Sequence, residues 1–188
     1  MIQLFGQSQR YFTPTVSQPG TAKLMADEPA MKQDPRFTLY PDWLRLQATG
    51  QARPRPVRRG APAFAVPLPG EGAGAQGKFV VAAMRAGARI VAGTDTPNAF
   101  ALHGELETYV MAGMTPYEAL RAATVVPAEA LNLDAGSIEA GKLADIVIVQ
   151  GNPLENIADA HRVKTVIANG RVFEEDDLVK GNTKSDRR

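Results

Sequence analysis

The sequence predicts an α/β fold followed by a short antiparallel segment, and three features carry that prediction. Ala88 to Ala92 is a short, mostly apolar run between helical stretches, the pattern of a buried parallel strand. Thr115-Pro116-Tyr117-Glu118 is a capping box, with Thr at N-cap, Pro at N1 and Glu at N3. Asn169-Gly170 separates two apolar runs, and an Asn-Gly pair there predicts a hairpin, because a type I′ turn needs positive φ at both positions.

In chain order, Met1 to Phe5 reads as the end of a helix. Tyr11 to Val16 is aromatic and β-branched, so it reads as a short strand. Pro14 belongs at its end, since proline donates no ladder hydrogen bond. From Ser17 to about Ala48 the pattern is irregular. Asp34-Pro35 and Tyr40-Pro41 read as turns, and Trp43, Leu44 and Leu46 as a short helical anchor. Gln51 to Gly77 holds five prolines, five glycines and Arg53, Arg55, Arg58 and Arg59, the composition of a flexible excursion. Lys78 to Ala86 follows as a helix, with Gly87 as its C′ residue.

Past the Ala88–Ala92 strand, Gly93-Thr94-Asp95-Thr96-Pro97 forms a loop. Glu105 to Met111 is helical, with Leu106, Tyr109 and Val110 on one face and Gly113 as the stop. The capping box opens a helix to about Ala123, and a second short helix runs from near Pro127 to Leu131. Ala144 to Val149 is a strand that begins on Asp145. Val163 to Ala168 and Arg171 to Phe173 form the hairpin, and Glu174 to Arg188 reads as a frayed polar tail.

The composition narrows the function classes. The chain has 188 residues, 44% of them apolar, enough for one domain or an unequal pair. Lys plus Arg number 21 and Asp plus Glu 20, so a net charge of +1 points to neither nucleic acid nor an anionic membrane. There is no cysteine and only two histidines, His103 and His161, so a metal here must be held by Asp, Glu or His. The longest apolar run, Phe79 to Met84, is too short to span a bilayer, and Met1 to Arg10 lacks the order of a signal peptide. The default expectation is a soluble, cytoplasmic chain.

Asp95 is the first candidate for chemistry. A carboxylate just beyond the C-terminal end of a buried parallel strand stands where α/β folds place their sites. Gly93 is expected to let the backbone turn, and Thr94 to orient the carboxylate. Its oxygens suit a divalent cation such as zinc, and a carboxylate beside an activated water can take its proton. The plain local alternative is an Asp that caps the next helix or loop. His103, eight residues on, is a candidate for facing a substrate, against the plainer and favoured reading of a surface or capping histidine. Glu105 and Glu107 are read as first-turn acids favoured by the helix dipole, and His161 as a surface residue.

The ordered pieces around Asp95 carry a resemblance. Gly93-Thr94-Asp95-Thr96-Pro97 resembles the loop after the eighth barrel strand of the amidohydrolase superfamily. The likeness continues through Glu105-Leu106-Glu107, Ala112 to Thr124, Pro127-Ala128, Gly136 to Val147 and Val163 to Val172. Upstream, Tyr11-Phe12-Thr13-Pro14-Thr15 resembles the seventh strand in the imidazolonepropionase- and prolidase-like branch, above all those members that follow a TolB-type propeller. Asp34-Pro35-Arg36-Phe37 suits the same subgroup.

The resemblance implies the last two βα units of a TIM barrel plus strands of a small β-sandwich domain. Residues 1–135 would be the partial barrel, with the 51–77 loop inside it. Residues 136–174 would be the sandwich strands and 175–188 the tail. It implies a hydrolase of C–N bonds in small amides or cyclic amides, a divalent metal, zinc first, and Asp95 as metal ligand and proton shuttle. The family's His-x-His pair, bridging lysine and two further histidines have no counterpart here and would precede Met1. On that expectation the chain is a piece of a longer protein, an inactive remnant, or one half of a split barrel that associates with another chain. Two strands cannot close a barrel, and an open edge invites pairing. A last reading makes the Arg/Pro stretch a partner-binding segment.

Overall fold

The computed structural model describes residues 2–8, 10–16, 72–95 and 99–177. The expected turns and anchor between Ser17 and Ala48, the excursion up to Glu71 and the end of the tail lie outside them.

The architecture is mixed α/β. Helix α1 (Ile2–Gln7) leads into β1 (Tyr11–Phe12), which is shorter than expected and leaves Pro14 outside the ladder, as its missing N–H requires. Helix α2 (Gly72–Arg85) precedes β2 (Arg89–Ile90). β1 and β2 run parallel, with Tyr11 opposite Arg89 and Phe12 opposite Ile90. The Val91 N–H donates to the Phe12 carbonyl at 2.9 Å, so the pairing reaches one residue further.

Two helix starts differ from expectation. α2 begins at Gly72, so residues 72–77 are helical where the composition suggests an excursion. Gly77 in this stretch packs against Ala112 and Thr108, and such tertiary contact outweighs the weak helix propensity of its glycines. Helix α3 (Ala99–Met111) begins six residues before Glu105. His103, Glu105 and Glu107 are therefore mid-helix residues.

The capping box forms as read. In α4 (Pro116–Ala123) the Glu118 N–H donates to Thr115 Oγ1 at 3.2 Å, and the Thr115 N–H donates back to Glu118 Oε2 at 2.8 Å. Arg85 closes on the same carboxylate with both guanidinium nitrogens, tying the end of α2 to the start of α4. Helix α5 (Val125–Ala130) follows directly. The core joins Val80 and Ala83 of α2, Ala88 and Ile90, Leu106 and Tyr109 of α3, and Ala119 and Ala122 of α4.

The second sheet is antiparallel, in the order β3 (Ile146–Val149), β4 (Val163–Ala168), β5 (Arg171–Glu174). Ile146 faces Ile167, which faces Val172, and the register shifts between Ile148 and Val149. Asn169 and Gly170 take φ of 49° and 73°, as the hairpin turn demands. Asp145 stands outside β3, and its Oδ1 accepts the Asn169 N–H at 2.9 Å. Order also continues past Phe173: Thr165 Oγ1 donates to Glu174 Oε2 at 2.9 Å, and 175–177 form a helical turn. Cross-strand pairing thus holds the first residues of the expected tail. A 3₁₀ helix (Ile157–His161) between β3 and β4 packs against α3 and adds Ile157 to the core. Among the described residues, no helix is long and apolar enough to cross a membrane.

Candidate functional site

Two loops leave the parallel pair on the same side, because parallel strands end together. Thr13 to Val16 follows β1, and Val91 to Asp95 follows β2. The second loop is tied down at its base: the Ala92 N–H donates to the Ala122 carbonyl of α4 at 2.7 Å. Asp95 then emerges exposed at the C-terminal end of β2, the position expected of it.

The backbone there differs from expectation in an informative way. Gly93 does not supply the left-handed residue; Asp95 does, at φ 48°. Asp is one of the few non-glycine residues that tolerates that region, because its short polar side chain bonds locally. Gly93 serves close approach instead. A Cβ on it would stand 2.3 Å from Thr13 Cγ2 and 3.9 Å from Thr15 Cγ2, so the two loops interlock at this glycine.

The β1 loop holds a second left-handed residue, Thr15 at φ 49°. For a β-branched side chain this is a strained conformation that the surroundings must impose. The surroundings are visible one residue on. The Val16 N–H donates to Glu105 Oε1 at 2.9 Å, across 89 positions of sequence. Glu105 is fully buried and is the one charged side chain in the core of the described residues. It is not a first-turn acid, since α3 starts six residues earlier and turns it inward. Tyr109, one turn on, is also fully buried, and burial, then the neighbouring Glu105 carboxylate, push its phenol above the ordinary range.

Sequence reasoning missed Glu105, although a signal existed. Ala101, Glu105 and Tyr109 recur at intervals of four, and all three are fully buried. Starting the helix at Ala99 puts Glu105 on that inward stripe.

The two histidines meet. The ring of His103 in α3 stands edge-on to that of His161, with centroids 6.1 Å apart. His161 Nδ1 lies 3.8 Å from Glu107 Oε1. His161 is therefore half-buried at the joint between α3 and the 3₁₀ helix, not a detached surface residue. The contact turns His103 toward that joint. Among the described residues, no group of three or more Asp, Glu or His could hold a metal ion. A structural or catalytic zinc site takes three or four protein ligands, so the described residues do not by themselves fit one.

Comparison with known proteins finds likenesses in sequence and in fold. An adenine deaminase from Methanosphaera stadtmanae is 46% identical over 61 residues, 32% of this chain and 10% of that protein. A crystal structure of a Xaa-Pro dipeptidase with methionine bound in its active site superposes over 92% of this chain, with TM-score 0.59 and 26% identity. A crystal structure of an amidohydrolase does so with TM-score 0.57 and 22% identity, a likeness of fold alone. The chain spans 36% of the length of each of those two structures. The model of the amidohydrolase family matches residues 76–173, which include Asp95, Glu105 and all of the antiparallel sheet but Glu174, and by this match over more than half of its length the chain belongs to the amidohydrolase family.

Proposed function

We propose that these residues form the closing part of a metal-dependent hydrolase of C–N bonds in small amides or cyclic amides. In this reading β1 and β2 are the last two strands of a (β/α)₈ barrel within residues 1–135. The strands β3 to β5, within 136–174, belong to a small β-sandwich domain that precedes the polar tail. The observation that carries the proposal is Asp95: an exposed residue at positive φ, in the loop that leaves a parallel strand at its C-terminal end, inside the family-matched region. The adenine deaminase and Xaa-Pro dipeptidase likenesses support a C–N bond as the target.

In a complete barrel Asp95 would hold the metal with one carboxylate, zinc being the first choice for a mixed His and carboxylate donor set. It also accepts a proton from the attacking water and returns it to the leaving nitrogen. His103 is the second site residue, proposed to approach the substrate from α3; its support is its place in the helix that follows the loop. The remaining ligands are not among the described residues. The test is Asp95→Ala in a protein that carries the rest of the barrel. Turnover of an amide substrate is expected to fall to background while circular dichroism and melting stay near normal. Near-normal turnover in a folded variant overturns the assignment.

A second reading, that these residues work only after joining another polypeptide, is favoured by the two-stranded parallel sheet and the absence of a three-donor cluster among the described residues. Light scattering and metal analysis of the purified 188-residue chain separate the two. A monodisperse monomer that binds zinc stoichiometrically and hydrolyses an amide rules the second reading out.

A further inference from the structure

We propose that Glu105 is a positioning residue, whose buried carboxylate locks the β1 loop against α3 and thereby fixes the loop that presents Asp95. It rests on the reading of Asp95 as the site residue, because that gives the fixed geometry its use.

Three observations meet at one place. The Val16 N–H donates to Glu105 Oε1 at 2.9 Å inside the core. The residue before Val16, Thr15, holds a left-handed φ of 49° that a β-branched side chain does not adopt unaided. Thr13 in turn lies so close to Gly93, two residues before Asp95, that no Cβ fits there, while Thr15 Cγ2 reaches the same position only at ordinary contact distance. The chain of contact therefore runs from Glu105 to Val16, back along the loop through Thr15 to Thr13, and from Thr13 to Gly93 and the Asp95 loop. A buried carboxylate is tolerated only where it is well bonded, and it holds its donor more firmly than a neutral acceptor does. Both ends of the lock lie in packed structure: Val16 is itself in the core, and Glu105 sits on the inward stripe of α3.

This role differs from that of a group that only fills space. An apolar residue at position 105 fills the same volume yet leaves the Val16 N–H buried without an acceptor and Thr15 without a restraint. A glutamine keeps an acceptor oxygen at the same reach.

Amide hydrogen exchange on the full 188-residue chain tests the proposal without turnover, so its outcome is independent of the Asp95→Ala experiment. In Glu105→Leu, the Val16 amide is expected to exchange about ten- to a hundredfold faster, the range set by leaving a buried N–H without its acceptor. The Thr94 and Asp95 amides accelerate with it, while Ala83 in α2 and Val166 in β4 keep their rates. Glu105→Gln restores most of the protection at all three loop amides. Glu105→Ala serves as a second variant should the leucine side chain prevent folding. Unchanged protection at Val16 overturns the lock. Acceleration at Val16 that does not reach Asp95, a uniform rise across every element, or a glutamine variant that behaves like leucine overturns the positioning role.

Discussion

The α2–α4 region and the β3–β5 sheet are built on different principles. Of the core cluster, all but Ile157 comes from Val16 and the stretch from Val80 to Ala122. In the antiparallel sheet no residue is fully buried, and Val147, Ile148 and Val172 are each about half exposed or more. The first region is held by side-chain packing, into which one carboxylate is set. The second is held by its backbone ladder and one turn. Packed structure can impose strained conformations such as Thr15 and hold a loop to one geometry; a lightly packed ladder cannot. The candidate site accordingly belongs to the first region.

The sharpest way to break the comparison is Tyr109→Ala. This removes the largest fully buried side chain among the described residues and leaves a cavity between α3 and its neighbours. A loss of about 3–5 kcal/mol is expected, read from urea or thermal unfolding. A loss as small as that from a truncation in the sheet, such as Val172→Ala, contradicts the view that packing holds this region. Next in size is Gly93→Ala. Its Cβ meets Thr13 Cγ2 at 2.3 Å, so the two loops must part. The expected loss is about 1–3 kcal/mol, as for other overpacked sites. An unchanged melting temperature shows that the loops do not interlock.

How much of this was legible in the sequence follows the same division. Features set by local chemistry appear where expected: the capping box at Thr115 and Glu118, the Asn169-Gly170 turn and the apolar β2 segment. Each is decided within four or five residues. What was missed depends on tertiary contacts. α2 and α3 each begin six residues before the expected start, because glycine- and histidine-containing turns are stabilised by the elements packed on them. That one error hid Glu105, whose partner Val16 lies 89 positions away. Asp95 stands beyond a strand, as expected, but the turn expected of Gly93 is made by the left-handed φ of Asp95 itself. The distances that assign Gly93 to close approach exist only once Thr13 and Thr15 fold beside it.

A smaller effect is expected in the sheet. Gly170 has φ 73° with open space around the position of a Cβ, so Gly170→Ala pays only the backbone term, about 1 kcal/mol. The contrast with Gly93→Ala is the point: one glycine answers to its own dihedral and the other to a neighbour. Equal losses at the two positions, measured in the same denaturant series, erase that distinction.

The smallest expected effect is electrostatic and lies on the surface of the packed region. Arg85, and then the Thr115 N–H, hold the Glu118 carboxyl down to about 2, from an ordinary value near 4.5. Because the folded value is the lower one, the unfolded chain takes up this proton first as the medium is acidified. The stabilisation from this group is therefore fully present above about pH 4.5 and is lost as pH falls toward 2. Both side chains are solvent-accessible, so water and salt screen the pair, and its contribution is modest. Arg85→Met removes the main cause of the shift while leaving the capping box to Thr115. Melting temperatures between pH 5 and 2 should fall less steeply in that variant than in the parent. The difference should shrink in high salt. Parallel pH profiles for the two proteins would show that the α2–α4 tie is a contact without consequence, and that packing alone joins those helices.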